Sequence, residues 1–180
     1  PTVSAGNNQT ICASSPVAAL TGKITGTVVS QQWVGGTGTF SAGRGSLNTN
    51  YTPSATEIAA GSVTLTLQAT TALPAPCNII GSNITITITP IDNVTSPPAE
   101  TICTGQPLNY AITSTSGGTN FTWTASVTSG HTTGVAAHGR GNTINDIITN
   151  TNASTPAVVV YKITPQNNSC TGNVFTLTIT

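Results

Sequence analysis

Asn83-Ile84-Thr85-Ile86-Thr87-Ile88-Thr89-Pro90 and Asn173-Val174-Phe175-Thr176-Leu177-Thr178-Ile179-Thr180 decide how this chain is read. In both runs apolar and polar residues alternate with a period of two, the mark of a strand with one buried face. The same period continues outward from them. Val63, Leu65, Leu67 and Ala69 alternate with polar neighbours in the first half, and Val159, Tyr161 and Ile163 do so in the second. Clusters of Gly, Pro, Asn and Ser break these runs at short intervals, as in a sandwich or barrel, and no segment keeps a helical period over three turns. One short exception is Ser54–Gly61, where Ser54 and Glu57 have capping-box spacing and Gly61 closes the turn. This predicts a single helical turn crossing between sheets, and Asn145–Thr149 is expected to make the matching turn in the second half.

The two opening runs are copies of one unit. At an offset of about 91, Gln9-Thr10-Ile11-Cys12 meets Glu100-Thr101-Ile102-Cys103, Trp33 meets Trp123, and Cys77 falls within a few residues of Cys170. Landmarks in one order across both halves define two domains, 1–90 and 91–180. The expected fold class is all-β, with two tandem β-sandwiches.

Four cysteines allow three pairings. The repeat selects Cys12 with Cys77 and Cys103 with Cys170, one disulfide per domain pinning strand ends at one pole. Closing such loops is worth about 4 kcal/mol each in the chain-entropy model. Disulfides persist outside the cytoplasm, which places the protein there. Trp33 and Trp123, one per half, are expected to anchor the two cores.

Only 4% of the 180 residues are charged and the net charge is zero, against about 25% charged in an ordinary domain. No basic field exists to attract phosphates, so nucleic acid is not expected as a partner and anionic membrane surfaces are poor candidates. The chain is 37% hydrophobic and rich in β-branched residues, so it folds. No apolar run approaches the roughly 20 residues of a spanning helix. The chain lacks Met and any signal-like start, and it reads as a piece of something longer.

Catalysis needs groups that titrate or ligate. A glycosidase requires two carboxylates facing one bond, yet Glu57 is already a cap, and Glu100 and Asp146 lie on unrelated segments. His131 and His138 sit in a Gly-rich stretch without the further ligands that zinc needs. No Gly-x-Ser-x-Gly elbow and no acidic calcium cluster occur. The expectation is no enzyme, no cofactor and no metal. Gly43-Arg44-Gly45 and Gly139-Arg140-Gly141 recur in the two halves. Arg44 and Arg140 are therefore candidate surface contacts for a carboxylate or sugar, weighed against a plain repeated turn.

Trp33-Val-Gly-Gly-Thr-Gly-Thr-Phe40, Tyr51-Thr-Pro-Ser-Ala-Thr-Glu57 and the closing Ile-Thr-Pro of the first half, with Phe121-Thr-Trp-Thr-Ala125, Ile144-Asn-Asp-Ile-Ile-Thr-Asn150 and Val160-Tyr-Lys-Ile-Thr-Pro165 of the second, carry a resemblance. The chain resembles the tandem immunoglobulin-like and PKD-like repeats of giant Bacteroidota cell-surface adhesins of the gliding-motility type. The first domain resembles the immunoglobulin-like repeat and the second the PKD-like one, although the Trp-Asp-Phe-Gly-Asp-Gly motif of PKD domains is reduced to Trp123-Thr-Ala125. The resemblance implies a non-catalytic repeat segment of a long adhesin, exported by the type nine secretion system to the cell surface and acting as stalk or fibre and adhesive surface. Its implied partners are neighbouring repeats of the same chain and surface polysaccharides or solid surfaces. The alternatives are a filament or sheath subunit and an accessory binding module of a glycan-degrading enzyme. The Pro-containing junction, Pro90 to Pro98, is expected to be short and stiff.

Overall fold

The computed structural model describes residues 1–168 and 170–180. Its chain divides into two compact units, Pro1–Pro90 and Ile91–Thr180.

Unit 1 runs β1 (Thr2–Ser4), β2 (Gln9–Cys12), β3 (Ala18–Thr21), β4 (Lys23–Thr25), β5 (Ser30–Val34), β6 (Thr39–Phe40), β7 (Asn48–Thr52), α1 (Ala55–Ala60), β8 (Ser62–Thr70) and β9 (Ile79–Thr89). One sheet has the order β2-β9-β8-β5, a second the order β3-β7-β6, and β1 pairs with β4. The period-two residues of β8 and β9 do what their spacing demands. Leu65, Leu67, Ile84 and Ile86 are buried between the sheets with Leu20, Trp33 and Tyr51. Each such aliphatic side chain contributes about 2 kcal/mol by leaving water. On the outer face Thr64 stands opposite Thr85 and Thr66 opposite Asn83, so cross-strand polar pairs cover the solvent side.

The strand that pairs with β9 at the edge of the main sheet fixes the orientation of the unit. β2 runs parallel to β9, with Gln9 beside Ile86 and Cys12 beside Thr89. The chain therefore enters unit 1 at the start of β9, where Ala5 donates to Ser82, and leaves at its end. We call these the proximal and distal poles.

Helix α1 is the short turn its sequence specifies. The Ser54 side chain caps the Glu57 amide, Glu57 returns a bond to the Ser54 amide, and Gly61 takes the left-handed conformation that ends it.

Unit 2 runs β10 (Ala99–Glu100), β11 (Tyr110–Ala111), β12 (Asn120–Ser129), β13 (Thr132–Thr133), β14 (His138–Arg140), β15 (Thr143–Ile144), β16 (Thr149–Asn150), β17 (Val158–Asn167), β18 (Cys170–Thr171) and β19 (Phe175–Ile179). The main sheet has the order β10-β19-β17-β12-β14, with β18 on the end of β17. Small ladders β11-β15 and β13-β16 carry the opposing layer. Phe121, Trp123, Tyr161, Ile163 and Leu177 pack against Leu108, Tyr110, Ile112 and Ile144. Here too a strand near the chain's entry, β10, runs parallel to the last, β19.

The helical turn expected at 145–149 does not form. That stretch is extended, with Ile147 bridged to Pro107 and the Asp146 carbonyl accepting from Leu108 N–H. The Asp146 carboxylate is committed elsewhere and caps nothing.

Candidate binding face and the cysteine poles

Two of the three carboxylates weighed for catalysis, Glu57 and Asp146, are latches, while Glu100 stands exposed on β10. Glu57 accepts from Tyr51 Oη at 2.8 and 2.9 Å, from the Thr37 amide at 2.7 Å and from the Ser54 amide at 2.8 Å. Burial pushes its pKa up, but these donors outweigh burial and hold it below the usual carboxylate range. Tyr51 is pushed up to about 12, by burial first and then by the bond to Glu57. Asp146 plays the corresponding part in unit 2, accepting from Tyr161 Oη at 2.7 Å and the Ala136 amide at 2.9 Å. Burial and that carboxylate raise Tyr161 far above the ordinary tyrosine value.

Sequence reading passed over Asp92, in the Pro-rich junction. It is 1% exposed, the most buried carboxylate of the chain, and ties down the loop 115–119. The hydroxyls of Thr115 and Thr119 and the amides of Ser116 and Asn93 all donate to it. Burial raises its pKa, yet the donors prevail and the carboxyl titrates below its ordinary range. The only signal in the sequence was an Asp in an otherwise uncharged stretch.

Trp33 is fully buried, with Nε1 donating to the Ser46 carbonyl at 3.0 Å. Trp123 is 8% exposed and lies across Gly139, where a Cβ would stand 2.5 Å from the indole ring. Its Nε1 is buried with no hydrogen-bond partner among the described residues.

The two Gly-Arg-Gly copies part ways. Arg44 folds back onto its own unit, donating to the carbonyls of Trp33, Gly35 and Gly36 and lying 4.5 Å from the Phe40 ring centroid. Arg140 instead lies within β14 on an outer face. Cross-strand register sets Arg140, Thr122 and Thr164 in one row and His138, Thr124 and Lys162 in the next. These rows line a hollow of about 600 Å3. Two of the four Lys and Arg residues of the protein thus share one threonine-rich face. His131, the other loop histidine, is exposed and stands apart from it. Among the described residues no three His, Cys, Asp or Glu side chains converge as a metal site would require.

The cysteines overturn the expected pairing. Cys77 and Cys103 are exposed free thiols, whereas Cys12 and Cys170 are disulfide-bonded. Strand direction explains why neither expected bond forms. Cys12 lies beside Thr89 at the distal pole, while Cys77 precedes Ile79, where β9 begins. Roughly ten residue steps of about 3.3 Å separate those ends, some 33 Å, against about 4.4–6.8 Å between the Cα atoms of a disulfide. In unit 2, Ile102 bonds to the Thr180 carbonyl, which puts Cys103 at the distal pole. Cys170 pairs with Asn167 at the opposite end of β17. Val159, beside Ile179, lies roughly 27 Å from Asn167 along that strand. The repeat identified equivalent cysteines correctly, but each unit holds its two at opposite poles. The intradomain loop-closure gain therefore does not apply.

These folds have known counterparts. A PKD-like domain family matches residues 100–180. The I-band fragment I67–I69 of titin and a Glu-to-Ala variant of the same three immunoglobulin domains share the fold, at TM-scores of 0.52 and 0.53 and 9% identity. Each alignment covers 96% of this chain, which spans 62% of the length of those structures. No curated protein matches the sequence. The chain has the fold of two tandem β-sandwich domains, immunoglobulin-like and PKD-like.

Proposed function

We propose that the chain is a load-bearing, non-catalytic repeat segment of a long secreted cell-surface adhesin, as in the gliding-motility proteins it resembles. One observation carries this reading. In each unit a strand near the chain's entry runs parallel to the last, β2 with β9 and β10 with β19. Tension entering at one pole and leaving at the other loads those hydrogen bonds in shear, so several must break together. An antiparallel hairpin pulled from its open end breaks one bond at a time. The basic and threonine face around Arg140 supports an adhesive role, since cations flanked by hydroxyls suit an anionic polysaccharide. A secreted setting is supported by the disulfide-bonded Cys12 and Cys170. No helix among the described residues is long and apolar enough to cross a membrane.

Single-molecule pulling of the chain from its two ends, in reducing buffer, tests the reading. Two separate ruptures are expected, each releasing about 290 Å, since 90 residues extend at about 3.6 Å apiece less the pole-to-pole length. Gradual extension without distinct ruptures would contradict a load-bearing role.

A further inference from the structure

Two features, one in each unit, match each other. At the proximal pole of unit 1, the free thiol of Cys77 sits in an exposed turn with Leu73, Ile79 and Val29, which are 58%, 52% and 68% exposed. Val29 belongs to this pole because its amide bonds the Thr70 carbonyl at the end of β8. Three large exposed apolar side chains thus share one pole with a free cysteine, an arrangement that normally marks an interaction surface. At the distal pole of unit 2, the free thiol of Cys103 adjoins a hollow of about 420 Å3 lined by Ile102, Ile148, Pro156, Ala157, Val159 and Ile179. One pole presents an apolar projection and the other an apolar recess, each with a thiol beside it.

The repeat supplies an independent observation. Cys103 is the counterpart of Cys12, both at distal poles, and Cys77 is the counterpart of Cys170, both at proximal poles. Cys12 and Cys170 are disulfide-bonded, so a distal-pole and a proximal-pole position of this repeat each already carry disulfide sulfur.

We propose that the distal pole of unit 2 docks the proximal pole of a further repeat of this kind, with the Leu73-type projection in the hollow and a Cys103–Cys77-type disulfide locking the joint. The contact is heterologous, because a projection meets a recess rather than its own copy, and such contacts extend in series. The inference rests on the tandem-repeat reading and adds to it a covalent link between successive repeats. Forming each bond takes two electrons and two protons from the two thiols. The acceptor is a disulfide oxidant, and one oxidised glutathione becomes two reduced molecules.

A second copy of this chain serves as the partner in the test. Cys77→Ala keeps only the Cys103 free thiol, and Cys103→Ala keeps only Cys77. Mixed in equal amounts with oxidised and reduced glutathione, thiols that react at random give homodimers and heterodimer in the ratio 1:2:1. Pole-specific docking is expected to favour the heterodimer roughly tenfold or more beyond that random ratio, a free-energy preference of about 1.4 kcal/mol. Peptide mapping should place its bond between Cys103 and Cys77. Adding Leu73→Asp to the Cys77-bearing variant should return the ratio to random with the melting temperature unchanged, because Leu73 is exposed. A statistical mixture, an excess of homodimer, no linkage, or a heterodimer excess that survives Leu73→Asp would each overturn the proposal. Pulling single chains in reducing buffer involves none of these thiols, so the load-bearing reading is judged separately.

Discussion

Replacing Glu57 by Ala removes the acceptor on which one corner of unit 1 depends. Three groups donate to that carboxylate besides the Ser54 hydroxyl, and their losses differ. The Thr37 amide is exposed and water replaces the bond at little cost. The Ser54 amide loses its half of the capping box, worth about 1 kcal/mol. The Tyr51 hydroxyl belongs to a fully buried side chain and is left without an acceptor, which costs about 1–3 kcal/mol. The sum is about 2–4 kcal/mol. A unit of 90 residues unfolds with an entropy of roughly 0.19 kcal/mol/K, so the unit 1 melting temperature should fall by about 10–20 °C. Differential scanning calorimetry in reducing buffer should show that fall in one transition while the other stays put. Adding Tyr51→Phe should restore part of the loss, because the orphaned hydroxyl goes with it. A fall under about 3 °C, or a double variant that loses the sum of the two single losses, would refute the reasoning.

Other consequences follow from the same contacts. Asp92→Asn should weaken unit 2 by about 1.5–3 kcal/mol by removing a charged acceptor shared by four donors, with amide exchange rising first across residues 115–119. Glu57 and Asp92 both titrate below their unfolded values of about 4.3 and 3.9, so the stability they add is complete above about pH 5 and is lost as pH falls through their folded values. Tyr51 has the opposite sense: its folded value of about 12 exceeds the unfolded value near 10, so unit 1 should lose stability as pH rises from about 10 to 12 in equilibrium melts. Gly139→Ala drives a Cβ into the Trp123 ring and should cost unit 2 about 1–3 kcal/mol, with a change in tryptophan fluorescence absent from Gly43→Ala. Arg140→Ala with Lys162→Ala should abolish salt-sensitive retention on a uronate-rich polysaccharide while Arg44→Ala does not, because Arg44 is spent on its own carbonyls.

The strands were legible because each buries one face. Val63 to Ala69, Ile84 to Ile88 and Val159 to Ile163 could satisfy their alternation in no other way, and the capping box at Ser54 wrote its own turn. What the period of two does not encode is strand direction. Placing Gln9–Cys12 parallel to β9 sends Cys12 to the distal pole, and an antiparallel placement would have sent it to the other. The cysteine pairing therefore failed although the repeat alignment behind it was sound. Identical local sequence also hid a difference at Gly-Arg-Gly: Arg44 lies in a turn above Phe40, while Arg140 lies inside an edge strand with its side chain on the outer face. Asp92 was overlooked because its partners, Thr115, Ser116 and Thr119, lie more than twenty residues away in another polar loop.

The direction of loading tests the central claim most directly. The same chain can be held either at its two ends or at residues 61 and 90, which lie at one end of the β8-β9 pair and peel it open bond by bond. In reducing buffer and at one pulling speed, unit 1 should rupture at clearly higher force when loaded from its ends, because β2 and β9 are then sheared. An end-to-end rupture force equal to or below that of the peeling geometry would contradict the account.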